Sequence, residues 1–179
     1  LLVTILPPIL IVVIFVISDK FQEPNRAIIK VFTFGILITI PAFIANTFLY
    51  ETYKNYYFIN KSLSESFLSA AVIEEGLKFL ILYFIVYKMN EFNEPMDGIV
   101  YGVCVSLGFA TLENIYYVVY LSFGTDPILI AVLRTLTAIP AHGIFGVIMG
   151  YFFMRYSYVS KQKNLFLSFL IPYLLHGFY

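Results

Sequence analysis

Apolar residues fall in six long blocks, at roughly 1–18, 28–50, 64–87, 98–121, 127–154 and 164–179. Short polar pieces separate them: SDKFQEPNRA, ETYKNYYFINKSLS, YKMNEFNEPMDG, SFGTDP and RYSYVSKQKN. A helix needs about 20 mostly apolar residues to cross the hydrocarbon of a bilayer, and the blocks come near that length. The pattern predicts an all-α fold, a polytopic transmembrane helical bundle with about six visible membrane helices. No polar piece is long enough for a second domain, so residues 1–179 read as a single integral membrane domain. The chain does not begin with Met and stops inside an apolar block at Tyr179, which reads as a portion of a longer protein. The first block has no basic flank and contains Pro7 and Pro8, so nothing supports a cleavable signal peptide.

Lys and Arg in the short loops set the expected orientation. Loops one, three and five carry Lys20, Arg26, Lys30, Lys88, Arg155, Lys161 and Lys163, whereas loops two and four carry only Lys54 and Lys61. The first set is expected on the cytoplasmic side. Loop two, with Tyr50, Tyr53, Tyr56 and Tyr57, then forms an aromatic belt at the outer interface. In the fifth block, residues 127–138 are expected at the outer interface, with the true span starting near Ile139. That placement keeps Arg134 out of the hydrocarbon as an interface anchor. Gly98, Gly102, Ser106 and Ala110 recur every four residues, as do Gly146 and Gly150. Both stripes predict close helix packing.

Composition sharpens this picture. The chain is 60% hydrophobic and 12% charged, with mean hydropathy +0.86, too apolar for a soluble domain. A formal net charge of +0 removes any electrostatic case for nucleic acid. The single cysteine, Cys104, has no intramolecular disulfide partner and reads as a small buried hydrophobe.

Few polar groups remain at membrane depth: Glu74, Glu75, Lys78, Glu113, Asn114, His142 and His176. A charge at the centre of a membrane helix costs about 2.5–3.5 kcal/mol, and such residues are functional candidates by default. Glu74 and Glu75 are four and three residues before Lys78, and adjacent residues on a helix point about 100° apart. One glutamate can therefore pair with Lys78 while the other faces a neighbouring groove. In the expected topology Glu74, Glu75, Glu113, His142 and His176 all reach the outer half of the bilayer. Such a set suits activation of water by two open routes. In one, His142, His176 and Glu113 or a member of the EE pair hold Zn2+, with a second glutamate as base. In the other, a glutamate alone deprotonates water and a histidine stabilises the oxyanion. Rival readings are a proton- or cation-coupled membrane transporter using the buried Glu and His groups, and a scaffold whose charges only lock helix packing. A transporter predicts internal repeats, and the sequence has none.

The chain resembles the PrsW intramembrane proteases, relatives of the CAAX prenyl endopeptidases and bacterial Abi proteins. The resemblance rests on EExxK (Glu74-Glu75-Gly76-Leu77-Lys78), on FxxxE (Phe109 to Glu113) followed by Asn114, and on one histidine in each of the next two helices, His142 and His176. It covers residues 64–179, and Glu113 stands where the CAAX branch has histidine. The resemblance implies an intramembrane endopeptidase of a bacterial plasma membrane. Its substrate would be a membrane-anchored protein, anti-sigma-factor-like. The family is catalogued as metalloproteases and its CAAX relatives are argued to need no metal, so Zn2+ and a metal-independent mechanism stand level. The implied roles are as follows. Glu74 or Glu75 activates water and Lys78 holds the other carboxylate. Glu113 is a second acid/base or a ligand. His142 and His176 bind metal or stabilise the oxyanion, and Asn114 supports them with a hydrogen bond.

Overall fold

The computed structural model describes residues 2–54, 61–122, 124–159 and 161–179. Among these there is no strand. Helices α1 (Leu2–Ser18) and α2 (Asn25–Tyr53) occupy the first two apolar blocks. The third block is one continuous helical run of α3 (Lys61–Leu63), a π-helical stretch (Ser64–Ala71) and α4 (Val72–Phe84). Then follow α5 (Pro95–Tyr120), α6 (Pro127–Leu136), α7 (Ala138–Val159) and α8 (Gln162–Phe178). Tyr56 and Tyr57 of the expected aromatic belt lie outside the described residues.

Local chemistry sets the boundaries. Pro95 and Pro127 sit at the starts of α5 and α6, where a missing N–H costs nothing. Glu94 and Asp97 form a reciprocal capping box on α5, and Asp126 accepts from the Ile128 N–H at 2.9 Å on α6. The fifth apolar block is two helices, broken at Thr137 (φ −121°, ψ −71°). The break lies close to the expected start near Ile139, and Pro140 falls in the first turn of α7, where it is tolerated.

The stretches Asn25–Thr52, Pro95–Tyr120 and Pro127–Val159 are long and apolar enough to cross a membrane, the last one through the break at Thr137. Burial separates their roles: α5 is 83% buried over its apolar window and α2 only 28%. Helix α5 is thus the central post, with α1, α2, α4, α6 and α7 against it and α8 behind α7. Large apolar side chains such as Ile17, Ile40, Ile44, Phe48, Ile128 and Leu136 cover the outside. Glu74, Glu75, Lys78, Glu113, Asn114 and His142 are buried inside. Apolar outside and charged inside is the arrangement of a protein dissolved in lipid.

The two small-residue stripes meet each other. A Cβ added at Gly102 would fall on the Gly146 carbonyl oxygen and lie 3.0 Å from the Gly150 Cα. Only glycine lets α5 and α7 approach this closely. The contact sets the depth of His142 on α7 relative to Glu113 on α5, and Ser106 of α5 donates to the His142 carbonyl at 2.6 Å.

Candidate active site

Lys78 is the hub of the buried polar cluster. Its Nζ donates to Glu75 Oε1 at 2.7 Å and lies 3.0 Å from His142 Nδ1 and 4.5 Å from the centroid of the Phe109 ring. Both members of the Lys78–Glu75 pair are buried, so the i,i+3 partner takes the lysine rather than the i,i+4 partner. Glu75 Oε1 is also 2.8 Å from His176 Nδ1. Glu75 Oε1 is therefore occupied twice, while its Oε2 is buried without a partner and the residue has no exposure.

Glu74 is different. Its Oε1 receives only a long 3.5 Å contact from Asn46 Nδ2 of α2. Its Oε2 is buried with no hydrogen-bond partner and stands 3.9 Å from His176 Nε2. The 100° between neighbouring helix positions thus divides the pair into a held carboxylate and a free one.

On the opposite wall, Glu113 Oε2 receives Arg134 Nη2 at 2.8 Å and lies 3.0 Å from His142 Nε2. Lys78, paired with a carboxylate, has only protons to give. His142 Nδ1 therefore accepts from it, and its Nε2 carries the proton toward Glu113. His176 gives its Nδ1 proton to Glu75, and its Nε2 faces Glu74. The two imidazoles stand perpendicular at 5.4 Å, and Phe145 stacks on His176 at 5.3 Å.

All the expected residues come together, from α4, α5, α7 and α8. Of these, Glu74, Glu113, His142 and His176 line a cavity of about 190 Å3, together with Arg134, while Glu75, Lys78 and Asn114 stand behind its wall. Glu74 and Glu113 also line an open cleft of about 650 Å3 between α2, the π-helical stretch and α5. One wall of the cleft carries Phe43, Asn46 and Thr47, the other Tyr116, Tyr117 and Leu121. A chain lying in the cleft would reach the free carboxylate from the side.

Two residues escape sequence reasoning. Arg134 does not serve as an outward interface anchor. Its guanidinium turns inward to Glu113, its Nε donates to Asn114 Oδ1 at 2.9 Å, and it stacks 4.0 Å from the Tyr117 ring centroid. Its signal was the one that marked Lys78, a lone charge in an apolar run. Asn46 is a polar interruption in an α2 run that carries no motif. Asn114 binds the framework, donating to the Thr4 carbonyl of α1 at 3.0 Å while it holds Arg134.

The donor set fits a metal ion. Ligand atoms of Glu74, Glu113 and His142 lie within 4.8 Å of one another, and the unpartnered Glu74 Oε2 faces His176 Nε2. Zinc accepts such nitrogen and carboxylate ligands at about 2.0–2.2 Å. Binding at His142 Nε2 requires that atom to give up its proton.

Comparison with known proteins agrees with the geometry. The family described as PrsW family intramembrane metalloprotease matches residues 23–179. Protease PrsW of Geobacillus kaustophilus is 38% identical over 176 residues, 97% of this chain and 74% of that protein. Protease PrsW of Oceanobacillus iheyensis is 36% identical, over 91% of this chain and 73% of its own length. Protease PrsW of Bacillus subtilis is 36% identical, over 98% of this chain and 78% of its own length. No solved structure matches.

Proposed function

The chain belongs to the PrsW family of intramembrane proteases, and from that premise we propose that it cuts a membrane-anchored, anti-sigma-factor-like protein with water activated by Glu74. It is a membrane peptidase of bacterial type, and the transport alternative is not favoured. The observation that carries the proposal is that Glu74, unlike Glu75, lines both the cavity and the open cleft.

In this mechanism the substrate segment lies in the cleft between α2 and α5, unwound enough to offer one peptide carbonyl to the cavity. Glu74 takes a proton from water, and the hydroxide attacks the carbonyl carbon. The carbonyl electrons move onto oxygen. Arg134 and the His142 N–H, both aimed at the cavity side of Glu113, are the donors able to stabilise that oxyanion. Glu74, now protonated, returns its proton to the leaving nitrogen as the C–N bond breaks. Lys78 and Glu75 remain an ion pair throughout and orient His142 and His176. Zn2+, held by His142, His176 and Glu113 or Glu74, would supply a more acidic water and a polarised carbonyl.

In this proposal residues 1–179 form one domain that crosses the membrane six times and carries its site in the outer half. Residues 64–179 carry the reacting groups, while α1 and α2 contribute Thr4 and Asn46. The test is co-reconstitution in liposomes with a tagged single-pass reporter whose cleavable segment is external. Wild type is expected to release the tag and Glu74→Gln to leave it intact. Release by Glu74→Gln at the wild-type rate would falsify the assignment.

A further inference from the structure

A second group of carboxylates lies at the opposite end of α5 from the catalytic cluster. Asp19 follows the C-terminus of α1, Glu23 lies in the connection to α2, and Glu94 and Asp97 open α5. Asp19, Glu23 and Asp97 are buried and Glu94 is half-buried. Among the described residues none of the four forms a salt bridge, while nearby Arg26 turns to Glu91 at 3.6 Å. Lys20 rests over the Phe21 ring at 5.2 Å.

Part of this cluster is explained by the fold. Asp97 Oδ2 accepts from the Asn93 and Glu94 N–H groups at 2.8 and 2.7 Å, and Asp19 Oδ1 accepts from the Phe21 N–H at 3.1 Å. Glu23 Oε2 accepts from the Tyr101 hydroxyl at 2.6 Å. The remaining oxygens of the two aspartates are not explained. Asp97 Oδ1 and Asp19 Oδ2 are buried with no N–H or hydroxyl donor, and the side chains beside these aspartates are the carboxyls of Glu23 and Glu94. Asp97 has no exposure and Asp19 only 5%. Ligand atoms of Asp19, Glu94 and Asp97 lie within 4.8 Å of one another. Carboxylates this close cannot all stay ionised in a buried place unless something positive sits between them.

We propose that Asp19, Glu94 and Asp97 hold a hard divalent cation, Mg2+ or Ca2+, that ties the end of α1 to the start of α5. Three carboxylates with no nitrogen or sulfur donor select hard ions over zinc. Half-buried Glu94 leaves room for water ligands. A cleft of about 570 Å3, lined by Gln22, Glu23, Arg26, Asn90, Glu91 and Asn93, adjoins the cluster at Glu23. The consequence is structural. Helix α1 carries the Thr4 carbonyl that holds Asn114, so fixing its far end keeps α1 seated along α5.

The test uses the purified chain in detergent, stripped with chelator. Mg2+, Ca2+ or Mn2+ is added separately, and bound Mn2+ is counted by electron paramagnetic resonance. The thermal midpoint should rise by about 5 °C or more at a hundredfold excess over Kd. Bound Mn2+ should fall by one per chain in Asp19→Asn and in Asp97→Asn, which keeps the capping oxygen, and by the same amount when either change is made in a His142→Ala background. Loss in His142→Ala with retention in Asp19→Asn would assign the ion to the catalytic cluster and overturn the proposal. So would an Asp19→Asn protein that is more stable without any cation, beside a wild type that cations do not shift. That pattern would mean the cluster is closed by shared protons.

Discussion

Glu74→Gln and Glu75→Gln are neighbouring, chemically identical changes, yet their consequences should be opposite. Glu75 is in a fully buried pair with Lys78 at 2.7 Å, its side chain unexposed and that of Lys78 1% exposed. Neutralising it strands the ammonium against His142 Nδ1 and the Phe109 ring. Breaking a buried ion pair from one side costs about 3–5 kcal/mol. For a chain of this size each kcal/mol moves the midpoint by about 2–4 °C. Glu75→Gln should therefore melt roughly 6–20 °C lower, and lose activity with its fold. Glu74 has no such partner. Its contacts are the 3.5 Å approach of Asn46 and His176 Nε2 at 3.9 Å, both long, and a neutral amide relieves a buried charge. Its midpoint should stay within about 2 °C of wild type or rise, while cleavage falls about 10²–10⁴-fold. Cys104 offers the assay for folding: it is buried and is the chain's one thiol, so a fluorogenic maleimide reports unfolding on heating. Cleavage is read on the liposome reporter. A Glu75→Gln protein with the wild-type midpoint, or a Glu74→Gln protein cleaving within about threefold of wild type, refutes the division of roles between the two glutamates.

Other outcomes follow from the same geometry. Arg134→Ala should lower kcat about 10²–10³-fold with little change in KM, and Arg134→Lys should restore only part of it, because lysine cannot span Glu113 and Asn114 together. Equal kcat in all three proteins would return Arg134 to a structural role. Gly102→Ala should cost about 1–3 kcal/mol, since the added methyl meets backbone atoms of α7 that cannot swing away. Gly76→Ala, whose methyl would meet only Phe169 at 3.9 Å, should leave the midpoint unchanged or raise it. Elemental analysis of the wild type should find close to one transition metal per chain, lowered in both His142→Ala and His176→Ala. An active, metal-free wild type would leave Glu74 as base without Lewis-acid help.

Much of this was legible in the residues, for reasons that differ by element. The blocks came through because apolar length is a strong signal: the block expected at 98–121 is α5 at Pro95–Tyr120. The buried cluster was legible because buried charge is costly, so Glu74, Glu75, Lys78 and Glu113 stood out against an apolar background and are indeed buried together. Three things were hidden. The choice between Glu74 and Glu75 depends on helix rotation, which spacing alone leaves open. The inward turn of Arg134 depends on α6 lying beside α5 and α7, a tertiary fact. The π-helical stretch Ser64–Ala71 leaves no periodic trace in so short a segment, although it shapes the wall that presents Ser69 and Ala70 to the cleft.

Under the proposed mechanism, the ion pair explains why two glutamates are needed where one reacts. A single carboxylate beside Lys78 would be neutralised by it and would make a poor base. A single carboxylate without a cation nearby would be costly to bury and would have no fixed position. With two in sequence, Glu75 absorbs the lysine and His176 Nδ1, and Glu74 is left free at Oε2. Lys78 then does a second task, since a proton donated to His142 Nδ1 forces the other imidazole proton onto Nε2, toward Glu113 and the cavity. One cation thus fixes the state of both walls of the site. Lys78→Met, which keeps length and apolar volume, should therefore disturb more than one pairing. It leaves Glu75 as an unpaired buried carboxylate and frees His142 to take either tautomer. Lys78→Met combined with Glu75→Gln should recover stability, because no stranded charge remains, yet not activity, because the tautomer of His142 is no longer imposed. Recovery of both would show that the pair serves packing alone.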